Sequence, residues 1–512
     1  MSGDSGSQKM PSPDQLQKDI EQFLKEKYGD ADVHAEVDAF GTRETETQAE
    51  EDDKIDIDFA MTPMELEAYL IQYVVRQKEA IEILATKVAT HFNRMRWERE
   101  EGKKYPRIPG QIKPNIIMIG PTGVGKTYMV KLIAERLGVP FIKGDATKFS
   151  ETGYVGGDVE DLVRDLVRAA NGNIKLAESG IIYIDEIDKI AASGDFRGLD
   201  VSRTGVQRNL LKLMEETEVE LRVPHDLASQ MEAVIETQRT GKAPKKKINT
   251  RNILFIVSGA FNGLDKIVAR RMNRQPIGFE GDAHLKKREA DELMKESTTQ
   301  DLIEYGFESE FIGRLPVIAH LTDLDEAGLY EVLTNEYNAV VQGKIRDFAA
   351  YGIHLEFTDE ALKLLAKRAH KEKTGARGLI RAAERALIPF EKRLPSTTIR
   401  KVTLTREAVE NPNAVCNELI FGETVKEALA ELKKKTGISF SLSPASKKWL
   451  AEHVNEGQTP GSLLASLLEP VHYAFNLMDK PSLQITETLL DNPKDYMESL
   501  IRKRLRGGGK KR

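Results

Sequence analysis

The chain has 512 residues, more than a single hydrophobic core supports, so two to four domains are expected. It is 40% hydrophobic and 30% charged with a formal net charge of -6, and it has no apolar run long enough to span a membrane. A single cysteine, Cys416, excludes an internal disulfide and a cysteine-rich zinc site. The N-terminal residues lack the basic and apolar regions of a secretory signal, so we expect a cytoplasmic protein without a membrane partner.

Residues 1–60 are predicted to form an acidic, partly disordered N-terminal arm. A short helical stripe in this segment is followed by ETETQAEEDDK, whose charge density is typical of disorder. From Met61 onwards helical patterns dominate, and the apolar runs NIIMIG, GIIYID and NILFIVS alternate with helices. Such runs are typical of strands buried on both faces of a parallel sheet. The first two thirds of the chain are therefore predicted to form an α/β domain, followed by mainly helical segments.

A phosphate-binding loop follows the first of these strands. The octapeptide GPTGVGKT matches the pattern G-x-x-x-x-G-K-[S/T] and lies between the strand NIIMI and a helix. Its glycines let backbone N–H groups face the phosphates, and the positive end of the helix dipole adds to the attraction. Lys126 would reach the β- and γ-phosphates, and Thr127 would coordinate Mg²⁺. The residues expected to bind the nucleotide here are Gly120, Pro121, Thr122, Gly123, Val124, Gly125, Lys126, Thr127 and Tyr128.

A pair of acidic residues ends the second apolar run, IIYIDEID. Asp185 is suited to holding the Mg²⁺ ion, and Glu186 is suited to orienting and polarising the attacking water. An isolated Asp-Glu pair at a strand end is usually only a solvated turn. Downstream of a phosphate-binding loop, however, the pair favours an ATP hydrolase that uses ATP and Mg²⁺.

Six segments resemble, in the same order, those of the ClpX family of AAA+ unfoldases, the ATPase rings of Clp proteases. They are GYVGGDVEDLVRDL, GIIYIDEIDKIA, GVQRNLLKLME, NILFIVSGAFNGLDKIV, FESEFIGRLPVIAHL and KTGARGL. The resemblance covers about residues 61–415. It implies an AAA+ P-loop ATPase domain with a parallel sheet over residues 61–318 and a helical small domain over residues 319–415. Residues 416–512 lie beyond it and are predicted to form an α+β extension with a basic tail.

Two arginines and a serine acquire expected roles from this resemblance. Arg314, in FIGR, corresponds to the arginine finger, which offsets the charge developing on the γ-phosphate of a neighbouring subunit's nucleotide and so implies a homo-hexamer. Arg377, in GARGL, corresponds to the second sensor, through which the small domain reports loss of the γ-phosphate. Ser258 stands where the first sensor is expected, although a structural role for this serine is an equal alternative.

The adenine pocket is expected to be lined by Tyr73 and Val74, in the segment YVVRQ. The family usually has glycine where Arg76 stands. This departure puts the adenine contacts in doubt.

The segment GYVG resembles the first pore loop of the family. Tyr154 and Val155 could press against any polypeptide, because aromatic and aliphatic contact requires no particular sequence in the partner. The alternative is an ordinary core aromatic at a turn. The segment 193–203 falls where the second pore loop belongs, but Arg203 and Thr204 depart from the family pattern.

The polar stretch RMNRQPIGFEGDAHLKK carries Ile277, Gly278 and Phe279 in its middle. In the ClpX family an Ile-Gly-Phe loop at this position docks into apolar clefts of the ClpP peptidase ring. Burying each large side chain could contribute about 1.5–3 kcal/mol, and several identical loops on one ring would act multivalently. The resemblance therefore implies a ClpP-like peptidase partner. The alternative is a tripeptide packed against its own domain.

Two departures from the family limit what carries over. No cysteine precedes Cys416, so the family's N-terminal zinc-binding domain is absent and adaptor choice cannot be inferred. We expect the extension to repeat the small domain at an offset of 85, with Gly437 matching Gly352 and Ser462 standing opposite Arg377. We interpret it as a degenerate second small domain that serves contact rather than catalysis, with coincident helical patterning as the alternative.

The sequence thus predicts an ATP-dependent protein unfoldase that threads substrates through a hexameric pore to a ClpP-like peptidase, with or without adaptors. Three alternatives stay open at this point: an HslU-like protease ATPase, a protease-independent remodeller and a nucleic-acid-associated AAA+ motor. The Ile-Gly-Phe loop favours ClpX over HslU and over a remodeller. The acidic net charge and the aromatic-aliphatic pore loop argue against a nucleic-acid partner.

Overall fold

The structure is a computed structural model, and it describes residues 61–101, 112–150, 157–192, 201–221, 247–273, 290–337, 339–454, 458–475 and 482–507. The predicted N-terminal arm, the pore residues Tyr154 and Val155, and the docking residues Ile277, Gly278 and Phe279 lie outside these ranges and stay predictions. Within the described part of the chain, no helix combines the length and apolar character needed to cross a membrane.

A parallel sheet of five strands forms the centre of the N-terminal part, in the order β2-β3-β6-β1-β7. Strands β4 and β5 form a separate antiparallel pair. The strands are β1 (Ile116–Ile119), β2 (Phe141–Asp145), β3 (Ile181–Asp185), β4 (Glu218–Glu220), β5 (Lys247–Asn249), β6 (Leu254–Gly259) and β7 (Val317–His320). Residues of β1 and β6 are buried throughout, as continuous apolar runs predict, and the predicted α/β class is confirmed.

Helices cover both faces of this sheet, and alternate residues of each strand face opposite layers. Ile116 and Met118 pack with α1, α2 and α3, whereas Ile117 and Ile119 pack with helices of the other layer, including α4, α6 and α10. The helices of this part are α1 (Pro63–Tyr73), α2 (Lys78–Glu101), α3 (Lys126–Leu137), α4 (Asp161–Ala169), α5 (Ile174–Ala177), α6 (Val201–Met214), α7 (Leu264–Asn273), α8 (Ala290–Lys295), α9 (Thr299–Tyr305) and α10 (Ser309–Gly313).

A second unit with its own apolar core follows β7. Leu324, Leu365, Leu387 and Phe390 are among its buried residues, and β8 and β9 pair in parallel within it. Its elements are α11 (Glu326–Thr334), α12 (Ala339–Ala349), β8 (His354–Phe357), α13 (Asp359–Lys371), α14 (Ala376–Arg393), β9 (Lys401–Leu404), α15 (Arg406–Glu410) and α16 (Pro412–Thr436).

The C-terminal extension has a third core, built around Leu450, Leu464 and Phe475. Its elements are β10 (Ser439–Leu442), α17 (Pro444–His453), α18 (Pro460–Leu468), α19 (His472–Phe475), β11 (Ser482–Ile485), α20 (Glu487–Asp491) and α21 (Pro493–Gly507). Helix α16 belongs to two cores, because Cys416 near its start packs in the second unit while Val425 further along packs in the third.

The second and third units place corresponding elements in the same order. In each, a strand, two helices, a parallel partner strand, a five-residue helix and a long helix follow one another, and the third unit adds the four-residue α19 before its partner strand. Strand β10 lies 85 positions after β8, the offset read from the sequence, but β11 lies only 81 positions after β9. A constant offset is therefore wrong from β11 onwards, because four residues fewer connect the two strands of the third unit.

The junction between the first strand and the helix that follows it, β8–α13 in the second unit and β10–α17 in the third, is hydrogen-bonded in the same way in both units. The N–H of Thr358 donates to the carbonyl of Leu404 across 3.1 Å, and the N–H of Ser443 donates to that of Ile485 across 3.1 Å. Thr358 and Ser443 are also the N-caps of α13 and α17, each accepting a hydrogen bond from the backbone three residues later. The interpretation of the extension as a second copy of the small domain agrees with this scheme and stays a proposal.

Candidate nucleotide site

The phosphate-binding loop connects β1 to α3 at the carboxyl edge of the sheet. Gly123 and Gly125 adopt left-handed conformations, with φ of 80° and 99°, which only glycine tolerates readily. A Cβ atom on Gly123 would lie 2.2 Å from the carbonyl oxygen of Thr374, so a larger residue has no room. Gly125 is the N-cap of α3 and offers no side-chain cap. The first N–H groups of the helix can therefore donate to an anion.

Lys126 is the buried cation of the loop. Its Nζ donates to the carbonyl oxygens of Gly120 and Pro121, at 2.6 Å and 2.7 Å, which holds the ammonium group over the loop. Burial lowers the pKa of Lys126 to about 8, an effect that Asp185 and Asp188 oppose and Arg377 reinforces. The pKa of Lys126 thus lies only slightly above neutral pH, so a modest rise in pH removes the positive charge that would bind a phosphate.

A chain of hydrogen bonds links Thr127 to Asp185, the two residues expected to hold the metal. Thr127 Oγ1 donates to Tyr183 Oη at 3.1 Å, Tyr183 Oη and Ser258 Oγ share a hydrogen bond of 2.6 Å, and Ser258 Oγ donates to Asp185 Oδ1 at 2.8 Å. Lys143 Nζ lies 2.8 Å from Asp185 Oδ2. A hydroxyl and a carboxylate are hard oxygen ligands, so Thr127 and Asp185 fit a magnesium ion.

Burial also sets the protonation of this network. It acts to raise the pKa of Asp185, but hydrogen bonds from Lys143 and Ser258 outweigh it and hold that pKa below its ordinary value. Burial raises the pKa of Tyr183 to about 12, so its hydroxyl stays protonated. Asp185 is consequently anionic at neutral pH, as a metal ligand must be.

Glu186 is exposed, directly follows the last residue of β3 and lines the same cavity. Its φ of 57° is left-handed, which is uncommon for a residue with a side chain and is frequent at functional sites. Its N–H donates to Asp185 Oδ1 at 3.1 Å, and a short turn, Ile187–Ile190, follows it.

The cavity between the α/β part and the second unit has a volume of about 430 Å³. Sequence analysis anticipated twelve of the residues that line it: Tyr73, Val74, Thr122, Gly123, Val124, Gly125, Lys126, Thr127, Tyr128, Asp185, Glu186 and Arg377. Ser258 is not part of the wall; its fully buried hydroxyl supports Asp185 from behind. A cavity of this size suits a small organic ligand such as a nucleotide.

The second unit closes the cavity by docking on the phosphate-binding loop. The N–H of Ala376, the first residue of α14, donates to the carbonyl of Gly123 at 2.8 Å. Arg377 follows directly and also lines the cavity. The wall of this unit further includes Val332, Val340 and Ile380, which sequence analysis missed. These residues lie on three different helices, so no local pattern in the sequence identifies them.

The side of the cavity expected to take adenine is aromatic. The ring of Tyr73 packs against Tyr69 and Tyr337, with centroids 4.9 Å apart in each pair. Arg76, at a left-handed φ of 61°, places Nη1 2.7 Å from Asp325 Oδ1 and pairs with Glu331. The unexpected arginine therefore binds α11 of the second unit and leaves the aromatic wall intact.

Arg314 lies away from its own protomer's cavity wall. It is the C-cap of α10, its Nη2 lies 2.6 Å from Glu215 Oε1, and its carbonyl accepts a hydrogen bond from Asn115. Both charged side chains are roughly two-fifths exposed. Among the described residues, Arg314 does not line the cavity of its own chain, and its action on a neighbouring subunit stays a prediction.

Comparisons with known proteins identify the class that this site defines. Residues 112–318 match the model of the AAA domain (Cdc48 subfamily), and residues 324–390 match the C-terminal, D2-small domain of ClpB protein. The α/β part is therefore an AAA ATPase domain, and the chain is an ATP-hydrolysing enzyme.

Two relatives define the family within that class. The ATP-dependent Clp protease ATP-binding subunit ClpX of Borrelia duttonii (strain Ly) is 38% identical over 358 residues, which cover 69% of this chain and 79% of the relative. ClpX 3 of Methylococcus capsulatus (strain ATCC 33009 / NCIMB 11132 / Bath) is 39% identical over 364 residues, covering 69% and 80%. The chain belongs to the ClpX family and is a Clp-type ATPase unfoldase, and these comparisons do not favour the three alternatives.

Proposed function

We propose that this unfoldase threads substrate proteins through the pore of a homo-hexamer and delivers them to a ClpP-like peptidase. The observation that carries the proposal is the docking of α14 on the phosphate-binding loop, through the hydrogen bond from Ala376 to Gly123. Because the nucleotide cavity is shared between two units, a change in the nucleotide alters how those units fit together. Such a change in fit is how ATP hydrolysis would produce mechanical work.

The residues of the site divide the chemistry between them. Lys126 and the N–H groups at the start of α3 would bind the β- and γ-phosphates. A magnesium ion held by Thr127 and Asp185 would neutralise charge on the phosphate oxygens. Glu186 would orient and polarise the attacking water, and its left-handed backbone presents the carboxylate to the cavity. Ser258, itself hydrogen-bonded to Tyr183, orients Asp185, and Lys143 and Ser258 keep it anionic.

Arg377 would couple phosphate loss to movement of the small domain. It lines the cavity one residue after the docked N–H of Ala376. Its charge also contributes to the low pKa of Lys126, so the two cations lie within electrostatic range of each other. A bound γ-phosphate would relieve this repulsion by attracting both, and its loss would restore it.

A ring would bring Arg314 to the neighbouring subunit's nucleotide. Its guanidinium is exposed enough to leave Glu215 for a phosphate oxygen, a partner of higher charge. In that ring Tyr154 and Val155 would grip the translocating polypeptide. Ile277 and Phe279, on either side of Gly278, would dock on the peptidase.

ATP-dependent degradation of a tagged model protein, with and without ClpP, tests the proposal. The full chain should unfold the substrate with ATP and degrade it only when ClpP is added. Glu186→Gln should bind ATP but turn it over poorly, whereas Phe279→Ala should hydrolyse ATP normally and fail to support degradation. ATP hydrolysis without unfolding under all these conditions would contradict the proposed function, and degradation by Phe279→Ala would contradict the docking role.

We further propose that residues 437–507 are a second small domain that lacks a nucleotide site. Ser462 replaces the sensing cation, and it forms a capping box with Thr459 at the start of α18. No nucleotide-binding residue proposed for this chain lies in the third unit. Removing residues 437–512 should therefore leave nucleotide binding unchanged while altering ring assembly or partner binding. A loss of ATP affinity in the truncated chain would contradict this assignment.

A further inference from the structure

The turn that follows Glu186 makes an unusually close contact with the segment that precedes α10. The N–H of Ala192 donates to the carbonyl of Gly306 at 3.0 Å. Gly306 has a φ of 122°, and a Cβ atom there would lie 2.2 Å from the carbonyl oxygen of Ala192. The two backbones therefore touch without an intervening side chain, and a displacement of one would move the other.

Gln207, on α6, is hydrogen-bonded to both of these segments. Its side-chain amide donates to the carbonyl of Ile190 at 2.8 Å and, at 3.5 Å, to that of Gly306. Its Oε1 accepts a hydrogen bond from the N–H of Glu308 at 2.9 Å. The residue is fully buried, so these bonds have no competition from solvent. One amide thus connects the end of the turn behind Glu186 to the N-cap of α10.

Helix α10 has five residues, and Arg314 is its C-cap. Helix α6 and the residue just beyond it hold both ends of α10: Arg208 pairs with Glu308 at 3.2 Å, and Glu215 pairs with Arg314 at 2.6 Å. A helix this short has little freedom to bend between two fixed ends. The position of its first turn therefore sets the position of the Arg314 guanidinium.

We infer that Gln207 is a positioning residue that couples the turn behind Glu186 of its own protomer to Arg314. This inference rests on the proposed function, in which Arg314 acts on the neighbouring subunit's nucleotide. The Gln207 amide ties Glu308 to that turn, so the turn of an ATP-bound protomer sets the position of α10 and, with it, of the finger. Gln207 touches neither nucleotide, and its effect appears in the protomer next to the one that carries it.

Mixed rings separate the protomer that supplies the finger from the one that hydrolyses ATP. A Glu186→Gln subunit supplies Arg314 but cannot hydrolyse, and an Arg314→Ala subunit keeps its site but supplies no finger. Mixing the two should restore ATP hydrolysis that neither has alone. Gln207→Met, which keeps the side-chain length and removes all three side-chain hydrogen bonds, is then introduced into one partner at a time. Gln207→Asn, which keeps the amide on a shorter stem, is a second variant.

Gln207→Met or Gln207→Asn in the finger-supplying subunit should lower the restored ATPase rate at saturating ATP by about ten-fold or more, because a misplaced group loses catalysis steeply. The same change in the hydrolysing subunit should alter it less than about two-fold. Gln77→Met is the matched control, since Gln77 is also a buried amide that bonds a backbone N–H and a carbonyl, both of Thr322. In the finger-supplying subunit it should leave the restored rate within about two-fold.

Equal losses in both arrangements would make Gln207 merely structural and overturn the inference. So would a loss confined to the hydrolysing subunit, an unchanged rate, or an equal loss with Gln77→Met. Failure of the parent pair to restore any activity would instead overturn the action of Arg314 across subunits, and with it this inference, so the two failures are distinguishable. Thermal unfolding and ring assembly of each variant, measured alongside, identify a variant that does not fold.

Discussion

The second and third units share an arrangement of elements, but the starts of their corresponding helices, α14 and α18, contact different parts of the chain. In the second unit, the start of α14 faces the phosphate-binding loop, with Ala376 bonded to Gly123. In the third unit, the start of α18 lies against α16, where a Cβ atom on Gly461 would be 2.0 Å from the carbonyl oxygen of Thr424. One scaffold thus supports either a ligand cavity or a closed helix contact, depending on what its second helix meets.

The largest expected difference between the units concerns Arg377 and its counterpart Ser462. Arg377→Ala should lower the kcat of ATP hydrolysis by about a hundred-fold, as expected for loss of a charged group beside the reacting phosphate. Ser462→Ala should leave kcat within about two-fold. Steady-state ATPase assays on the two full-length variants measure both effects. Similar losses in the two variants would mean that the third unit acts in hydrolysis and would break the comparison.

The glycines at the two helix starts provide a second test. Gly461→Ala should lower the free energy of unfolding of the third unit by about 1–3 kcal/mol, because the new methyl group meets a backbone oxygen that cannot move alone. Gly375→Ala should reduce ATP hydrolysis as well as stability, because Gly375 has a φ of 56° and a Cβ atom there would lie 2.7 Å from Gly123 O.

Denaturation followed by hydrogen exchange in each unit, together with ATPase assays, separates the two outcomes. Gly422→Ala, in α16, is a suitable control, since nothing lies within 4 Å of a Cβ atom there. Reduced ATP hydrolysis in Gly461→Ala would show that the third unit is coupled to the catalytic site.

The pH dependence of nucleotide binding provides a third, smaller difference. The pKa of Lys126 is about 8, so its charge is present below that pH and is lost as the pH rises through it. Affinity for a non-hydrolysable ATP analogue should therefore fall above pH 8, by up to about ten-fold per pH unit. Because Arg377 helps to lower this pKa, Arg377→Ala should move the midpoint upwards, and Ser462→Ala should not. Fluorescence titrations from pH 7 to 10 measure the midpoint.

The smallest effects concern the threonine that begins the short helix of each unit. Thr405 accepts a hydrogen bond from Ala408 N, whereas Thr486 makes no side-chain cap bond. Thr405→Ala should therefore cost about 1 kcal/mol of stability and Thr486→Ala only a few tenths. Thr358→Ala and Ser443→Ala, in caps that match, should each cost about 1 kcal/mol. Equal costs for Thr405 and Thr486 in urea denaturation would contradict the structural difference.

The phosphate half of the site was predictable because its determinants are local. The loop from Gly120 to Thr127 and the pair Asp185–Glu186 each follow a buried strand, and a parallel sheet brings the carboxyl ends of its strands to one edge. The buried Tyr183 was missed, although a tyrosine in an apolar strand commonly marks a hydroxyl that needs a partner. Lys143, on β2, gave no local signal at all.

The rest of the cavity depends on how separate units dock. Val332 and Val340 resemble any other apolar residues of amphipathic helices, and only contact between the units turns them towards a ligand. Similarly, the sequence offset of 85 relates the buried Phe390 of α14 to the buried Phe475 of α19. The shift to 81 arises between α19 and β11, where the sequence gives no periodicity to follow.

Helix α16 connects the core of the second unit to that of the extension. Its 25 residues form one uninterrupted rod roughly 37 Å long, with one end in the core of the second unit and the other in that of the third. A tilt of about 10° at the first end would sweep the far end through roughly 6 Å. If the second unit rotates when the nucleotide changes, as we propose, the extension would be displaced by several ångströms.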